Sequence, residues 1–183
     1  MGVRAAVWLA ASSAAFTTAA TRDEVAAGVK RAVSFYHSHA ASHGGYVYRY
    51  SGDFKLREAE GIPAPDTIWI QPPGTPAVGE AMLQAHEATG DVSCLKAAVE
   101  AAHALSRTQL ASGGWDYSGH FDPANRAKRL YRRDADGKLL DRSKAPRGEG
   151  GWHVWRERRF KDSNGSTLDD DVTQSAVRLL VRV

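Results

Sequence analysis

The chain has little of what usually marks a protein's chemistry at a glance. Its 183 residues include one cysteine, Cys94, which excludes an intrachain disulfide and any multi-cysteine metal site. No run of residues is apolar and long enough to span a bilayer, so no membrane association is expected. A net charge of only +3 and a pI near 9.1 give no nucleic-acid signature, and no nucleic-acid partner is expected. Gly-x-Ser-x-Gly, His-Glu-x-x-His and phosphate-loop patterns are all missing, which removes the enzyme classes that those motifs announce. What remains is a composition with 43% hydrophobic and 25% charged residues, that of one folded domain with its own core.

Residues 1–20, "MGVRAAVWLAASSAAFTTAA", place Arg4 before an alanine-rich apolar run that ends on Ala19 and Ala20. This is the layout of a secretory signal peptide, and it points to a secreted or periplasmic protein; an alanine-rich first helix is the alternative. The domain proper is expected over 21–183.

Helix signals dominate that domain. Thr21 and Glu24 form a capping box, followed by Val25, Val29, Val33 and Tyr36 at helical spacing until Gly44 and Gly45. A second helix opens with Thr75 as its expected N-cap and Pro76 at its first position and stops at Gly90; a third starts on Asp91 as N-cap and runs toward Gly113. With only Gly90 and Asp91 between them, these two should pack as a helical hairpin. A fourth opens after Thr167, with Val172, Ala176, Leu179 and Val183 on one face. That face has no later element to pack against, which suggests a toroid continuing beyond residue 183. Short strands are expected in "GGYVYRYSGDF", at Ile68 to Ile70 and in "WHVWRERRF". Residues 116–150 read as a long basic loop with a turn at Asp136-Gly137. Gly-Gly-aromatic recurs at Gly44-Gly45-Tyr46, Gly113-Gly114-Trp115 and Gly150-Gly151-Trp152. A helix closed by two glycines, with an aromatic folding back on its end, is a way of turning from one hairpin to the next. The expected fold is mainly α, an incomplete α/α toroid of helical hairpins with short β additions.

The chemistry-bearing candidates are few. Asp169, Asp170 and Asp171 stand where the fourth helix begins. Acidic residues there stabilise a helix N-terminus, yet one would do, and three adjacent carboxylates also suit a hard cation such as Ca2+. Both readings stand at this point. An EF-hand register from Asp162 fails, because Thr167 and Thr173 occupy its glycine and glutamate positions. His37, His39 and His43 are a weaker metal candidate; His86, His103 and Cys94 read as packing residues. Trp69, Trp115, Tyr117, Trp152 and Trp155 lie beside glycine-rich turns and either close helix ends or stack sugar rings. Arg126, Lys128, Arg129, Arg132 and Arg133 form either a solvated loop or a carboxylate-recognising one.

"GGWDY" after a helix and "GSTLDDDVTQSAVRLL" opening the next together resemble the family 10 polysaccharide lyases, the pectate lyases, over roughly residues 40–183. The chain departs from that family at Leu168, at Asp169 and in the Asp116-Tyr117 that follows Gly-Gly-Trp. The resemblance implies calcium-dependent β-elimination on polygalacturonate or a related acidic polysaccharide. It implies calcium ligands at Asp170 and Asp171, with Asp169 less directly matched, and part of a substrate groove, for which Trp115, Tyr117, Trp152 and Arg133 are the candidate contacts among the aromatic and basic residues above. The family's base, an arginine farther along the toroid, has no counterpart before residue 183, so no catalytic residue is assigned. A non-catalytic glycan-binding toroid is the alternative. A terpene-cyclase-like toroid, suggested by the Gln109 to Trp115 spacing, ranks last, because 9% aromatic residues are too few to line such a cavity.

Overall fold

The computed structural model describes residues 19–143 and 164–183. Outside these lie residues 1–18 of the expected signal peptide, the third Gly-Gly-aromatic motif, the strand expected in "WHVWRERRF", and Trp152, Trp155 and Asp162. Helix α1, Arg22–Ala40, starts on the capping box: Thr21 Oγ1 accepts from the Glu24 N–H while the Glu24 carboxylate accepts from the Thr21 N–H at 2.8 Å. Helices α2, Thr75–Thr89, and α3, Val92–Arg107, form the expected hairpin. Gly90 closes α2 in the left-handed conformation, at φ 73°, and Asp91 caps α3 through the Ser93 N–H. α1 packs chiefly on α3, and the last helix, α5 (Val172–Arg182), packs on both α2 and α3.

Four short strands make two ribbons. β1 (Arg49–Tyr50) pairs with β2 (Arg57–Glu58), and β3 (Thr67–Trp69) pairs antiparallel with β4 (Ser118–His120), Ile68 opposite Gly119. The alternating tyrosines thus give only a two-residue strand. Tyr46 is buried and its phenol meets His37 Nδ1 at 2.7 Å, while Tyr48 turns to another corner of the molecule.

The two described Gly-Gly-aromatic motifs share one geometry. The first glycine takes positive φ, 85° at Gly44 and 102° at Gly113. The second sits where a side chain has no room: a Cβ would come 2.5 Å from Ile68 Cγ2 at Gly45 and 2.5 Å from Ser166 Oγ at Gly114. The aromatic then folds back on the preceding helix, Tyr46 onto α1 and Trp115 onto the end of α3, where its indole N–H donates to the Leu105 carbonyl at 2.8 Å.

Two expectations are corrected here. Thr75 is not the N-cap of α2; its hydroxyl clasps the backbone of Tyr46, accepting from the N–H and donating to the carbonyl. The basic stretch after Asp116 is not a solvated loop. It holds β4, a short helix α4 (Pro123–Arg126) capped by Asp122, and a turn at Asp136-Gly137 closed by the Arg133–Leu139 bridge. Arg126 donates to the carbonyls of His120 and Arg133 at 3.0 and 2.6 Å and lies over the Tyr131 ring, while Arg129 pairs with Asp116 at 3.2 Å in a nearly buried bridge. The core joins Tyr46, Ile68, Ile70, Leu105, Trp115 and Leu179, each fully buried side chain contributing about 1.5–3 kcal/mol. The architecture is mainly helical with short strands. The described residues contain no helix long and apolar enough to cross a membrane.

Candidate functional site

The acidic segment is placed by the second Gly-Gly-aromatic motif. Residues 164–173 are strapped onto 112–115: Ser112 N–H donates to Asn164 Oδ1 at 2.7 Å, Gly114 N–H to Ser166 Oγ at 2.9 Å, and Thr167 N–H to the Trp115 carbonyl at 2.7 Å. Trp115 N–H in turn donates to Thr173 Oγ1 at 3.2 Å. Because Gly114 has no side chain, the strap lies flat against it, and the chain then enters a tight 3-10 turn, Asp169–Asp171. Asp170 and Asp171 both lie in the left-handed region, at φ 50° and 59°. Aspartate tolerates that conformation better than most residues, but two in succession hold local strain of the kind found at functional turns.

The three carboxylates diverge. Asp169 Oδ1 accepts from the Asp170 N–H at 3.0 Å. Both oxygens of Asp171 bind the Arg178 guanidinium, which holds that carboxyl below its ordinary pKa. Asp170 turns the other way, and its Oδ2 accepts from Gln71 Nε2 at 3.1 Å and from the Tyr117 hydroxyl at 3.4 Å. Neither Leu168 nor Asp171, the residues that precede the two helical turns, makes a side-chain cap bond. The aspartates therefore give the helix N-terminus negative charge but no side-chain cap bond.

Gln71 sets the geometry of this corner. Its Oε1 accepts from the Tyr48 hydroxyl at 2.5 Å and from Trp69 Nε1 at 3.3 Å, so the amide NH2 is the group left for Asp170. Trp69 meets Tyr48 edge-on, with ring centroids 5.9 Å apart. Burial pushes the Tyr48 phenol up to about 12, and the charges of Glu60 and Asp170 add to that. Burial also raises Tyr117, assisted by Asp169 and Asp170. Both phenols therefore stay protonated at neutral pH and act as hydrogen-bond donors. The corner as a whole is acidic, with Glu60, Asp169 and Asp170 around two phenols, an indole and an amide.

Of the residues expected at the site, the structure brings together Tyr117, Asp169 and Asp170, and leaves Asp171 one residue away on Arg178. Trp115 is a correction: only 1% exposed, it closes the end of α3 and offers no face to a ligand. Arg133 lines a different pocket, with His43 and Arg107. Trp152 lies outside the described residues. Gln71, Tyr48 and Glu60 were missed. A glutamine ending the apolar "IWIQPPG" was the only sign of the first, since its partner lies 99 residues away.

A calcium ion, as the resemblance implies, would find the right donor chemistry here but few donors. Asp169 and Asp170 supply carboxylates, Asp171 is engaged by Arg178, and Gln71 presents its NH2. Among the described residues no group of three or more His, Cys, Asp or Glu side chains converges as a metal cage would. Calcium takes six to eight oxygens, so these residues alone would leave most of its coordination to ligand and water. Compared with protein-family models, curated proteins and solved structures, the chain finds no match in any of the three.

Proposed function

We propose that the Asp170 corner binds an acidic sugar chain through a bridging calcium ion, in a secreted pectate-lyase-like protein with an α/α toroid fold. The observation that supports this reading is the grip of Gln71 and Tyr117 on one oxygen of Asp170, in a corner that combines aromatic rings with carboxylates. Sugar rings pack their C–H faces on aromatic edges, and Tyr48, Trp69 and Tyr117 supply such edges. A uronate alone would be repelled by Glu60, Asp169 and Asp170; a cation held by Asp169 and Asp170 turns that repulsion into a bridge. Bound there, calcium would supply charge stabilisation to a uronate carboxylate as the C5 proton leaves and the C4 oxygen departs. Gln71 keeps the Asp170 carboxylate aimed, and Tyr117 donates to it.

The protonated phenols of Tyr48 and Tyr117 favour a second reading, non-catalytic glycan binding, because neither can accept the C5 proton at neutral pH. Thermal stability measured with calcium, with oligogalacturonate and with both tests the shared core of the two readings. Stabilisation by calcium that grows with the sugar and vanishes in Asp170→Ala supports it; indifference to both ligands overturns it. Release of unsaturated uronide, abolished by a chelator, then separates the lyase from the binding protein.

A further inference from the structure

The β3–β4 ribbon has a second end. Gln71 and Tyr117 leave one end toward Asp170, whereas Asp66 and Phe121 leave the other. At about 3.3 Å per residue, the five steps from Asp66 to Gln71 separate the two ends by on the order of 15 Å. At this far end lies a pocket of about 720 Å³, with His43, Glu100, His103, Arg107, Arg133 and Asp136 in its wall, a size suited to a small molecule.

Its framework is built stiffly. His43 is held at φ 52°, stacked on Phe121 with centroids 4.3 Å apart, and bonded through Nε2 to Asp66 Oδ1 at 2.8 Å. Arg107 lies over the same Phe121 ring at 4.9 Å and donates through Nη2 to the His43 carbonyl at 2.7 Å. Arg133 donates through Nη1 to the Gly137 carbonyl, also at 2.7 Å.

Two guanidiniums and two carboxylates share this wall, and the charges of Asp136 and Glu100 both act on Arg107, yet among the described residues no salt bridge closes on Arg107 or Arg133. Arg129, Arg178 and Arg182 each meet a carboxylate, but Arg107 and Arg133 make their hydrogen bonds to backbone carbonyls alone among the described residues. The buried Nε–H of Arg107 has no acceptor. Of the two acids in the wall, Glu100 is engaged by His37 at 3.0 Å, and Asp136 is an exposed rim residue. A guanidinium with unused N–H groups on the wall of an open pocket matches a planar or tetrahedral oxyanion, which accepts two hydrogen bonds at once.

We propose that this pocket binds a small ligand carrying a carboxylate or phosphate group, held by the guanidiniums of Arg107 and Arg133. The site is separate from the Asp170 corner and does not depend on the sugar reading.

Calorimetric titration of the full chain at low ionic strength tests it, with inorganic phosphate and galacturonate monosaccharide as probes and glucose as the neutral control. Saturable binding of either anion, and none of glucose, is expected; which anion binds tells the phosphate source from the carboxylate one. Arg133→Gln should weaken binding roughly tenfold or more, as loss of a charge-assisted bond does. Arg107 also braces the His43 turn, so Arg133 is the cleaner probe. Asp136→Asn, which removes the competing rim carboxylate, should tighten binding several-fold, an effect that mere loss of structure cannot produce. Asp170→Ala should leave it unchanged. Absence of saturable binding by both anions, or affinities indifferent to Arg133→Gln and Asp136→Asn, would overturn the proposal.

Discussion

Gln71 donates to Asp170 at 3.1 Å across 99 residues of chain, and the donor end of its amide is fixed by Tyr48 and Trp69 on the other side. That relationship makes Gln71 a sensitive probe of what Asp170 does. Gln71→Glu keeps the oxygen that accepts from Tyr48 and Trp69 but sets a second carboxylate against Asp170. Like charges in this half-exposed corner should lower stability by about 1 kcal/mol without a cation. Added calcium should then raise the melting temperature more than it does in the unaltered protein. Equal melting curves with and without calcium would mean that these carboxylates share no cation.

Trp115 gives a contrasting test. As a groove residue its loss would weaken sugar binding and spare stability. Buried at the end of α3, it should do the reverse. Trp115→Ala should cost roughly 3–5 kcal/mol in urea unfolding, the range for a large aromatic removed from a core. Trp115→Phe, which retains most of the packing, should still lose about 1 kcal/mol with the indole hydrogen bond, although the Leu105 carbonyl keeps the Thr108 N–H as a donor.

Much of the helical frame was legible because its signals are local. The Thr21–Glu24 box, left-handed Gly90 and the Asp91 cap each act within four residues, and all three stand where the pattern put them. The Gly-Gly-aromatic motif was legible as a turn device, and Tyr46 and Trp115 do fold back on their helices. Its context misled on exposure: a tryptophan beside two glycines reads as surface, yet Gly114 is bare so that residues 164–167 can lie across it. The arginines after Asp116 misled for a related reason. Guanidiniums that satisfy backbone carbonyls, as Arg126 does, leave no complementary charge in the sequence to reveal them. The candidate site was half legible, its aspartates and Tyr117 by motif. Gln71, Tyr48 and Glu60 arrive by long-range packing, which no spacing encodes.

The Asp116–Arg129 pair follows directly after the Gly-Gly-Trp turn, and both side chains are about nine-tenths buried. Removing one member of a buried pair leaves the other charge without compensation. Asp116→Ala should therefore destabilise by roughly 3–5 kcal/mol, more than the small volume change alone explains. The double substitution Asp116→Leu with Arg129→Met should recover much of that loss. If Asp116→Ala costs no more than a surface substitution, the bridge is not closed in solution.

His120 lies on β4 opposite Thr67, with Nδ1 3.0 Å from Thr67 Oγ1 and Nε2 3.3 Å from Ser118 Oγ. Burial disfavours its protonated form, and the Arg129 charge adds to that, so its pKa falls from 6.5 to about 4. In the unfolded chain the same imidazole binds its proton at the ordinary pH. Between about pH 6.5 and pH 4 the unfolded state therefore holds more protons, and stability falls as the pH is lowered. The contribution of the neutral ring is fully present above pH 6.5 and is lost on the way down to about 4. At about 1.4 kcal/mol per pH unit at most, the loss amounts to roughly 2–3 kcal/mol across the window. His120→Gln keeps a hydrogen-bonding side chain that does not titrate. Urea unfolding at pH 7 and at pH 4.5 should show the unaltered protein losing more stability than the variant by about that amount. Parallel losses in the two would assign the acid sensitivity to other groups and place His120 in a more solvated setting than its position on the ribbon indicates.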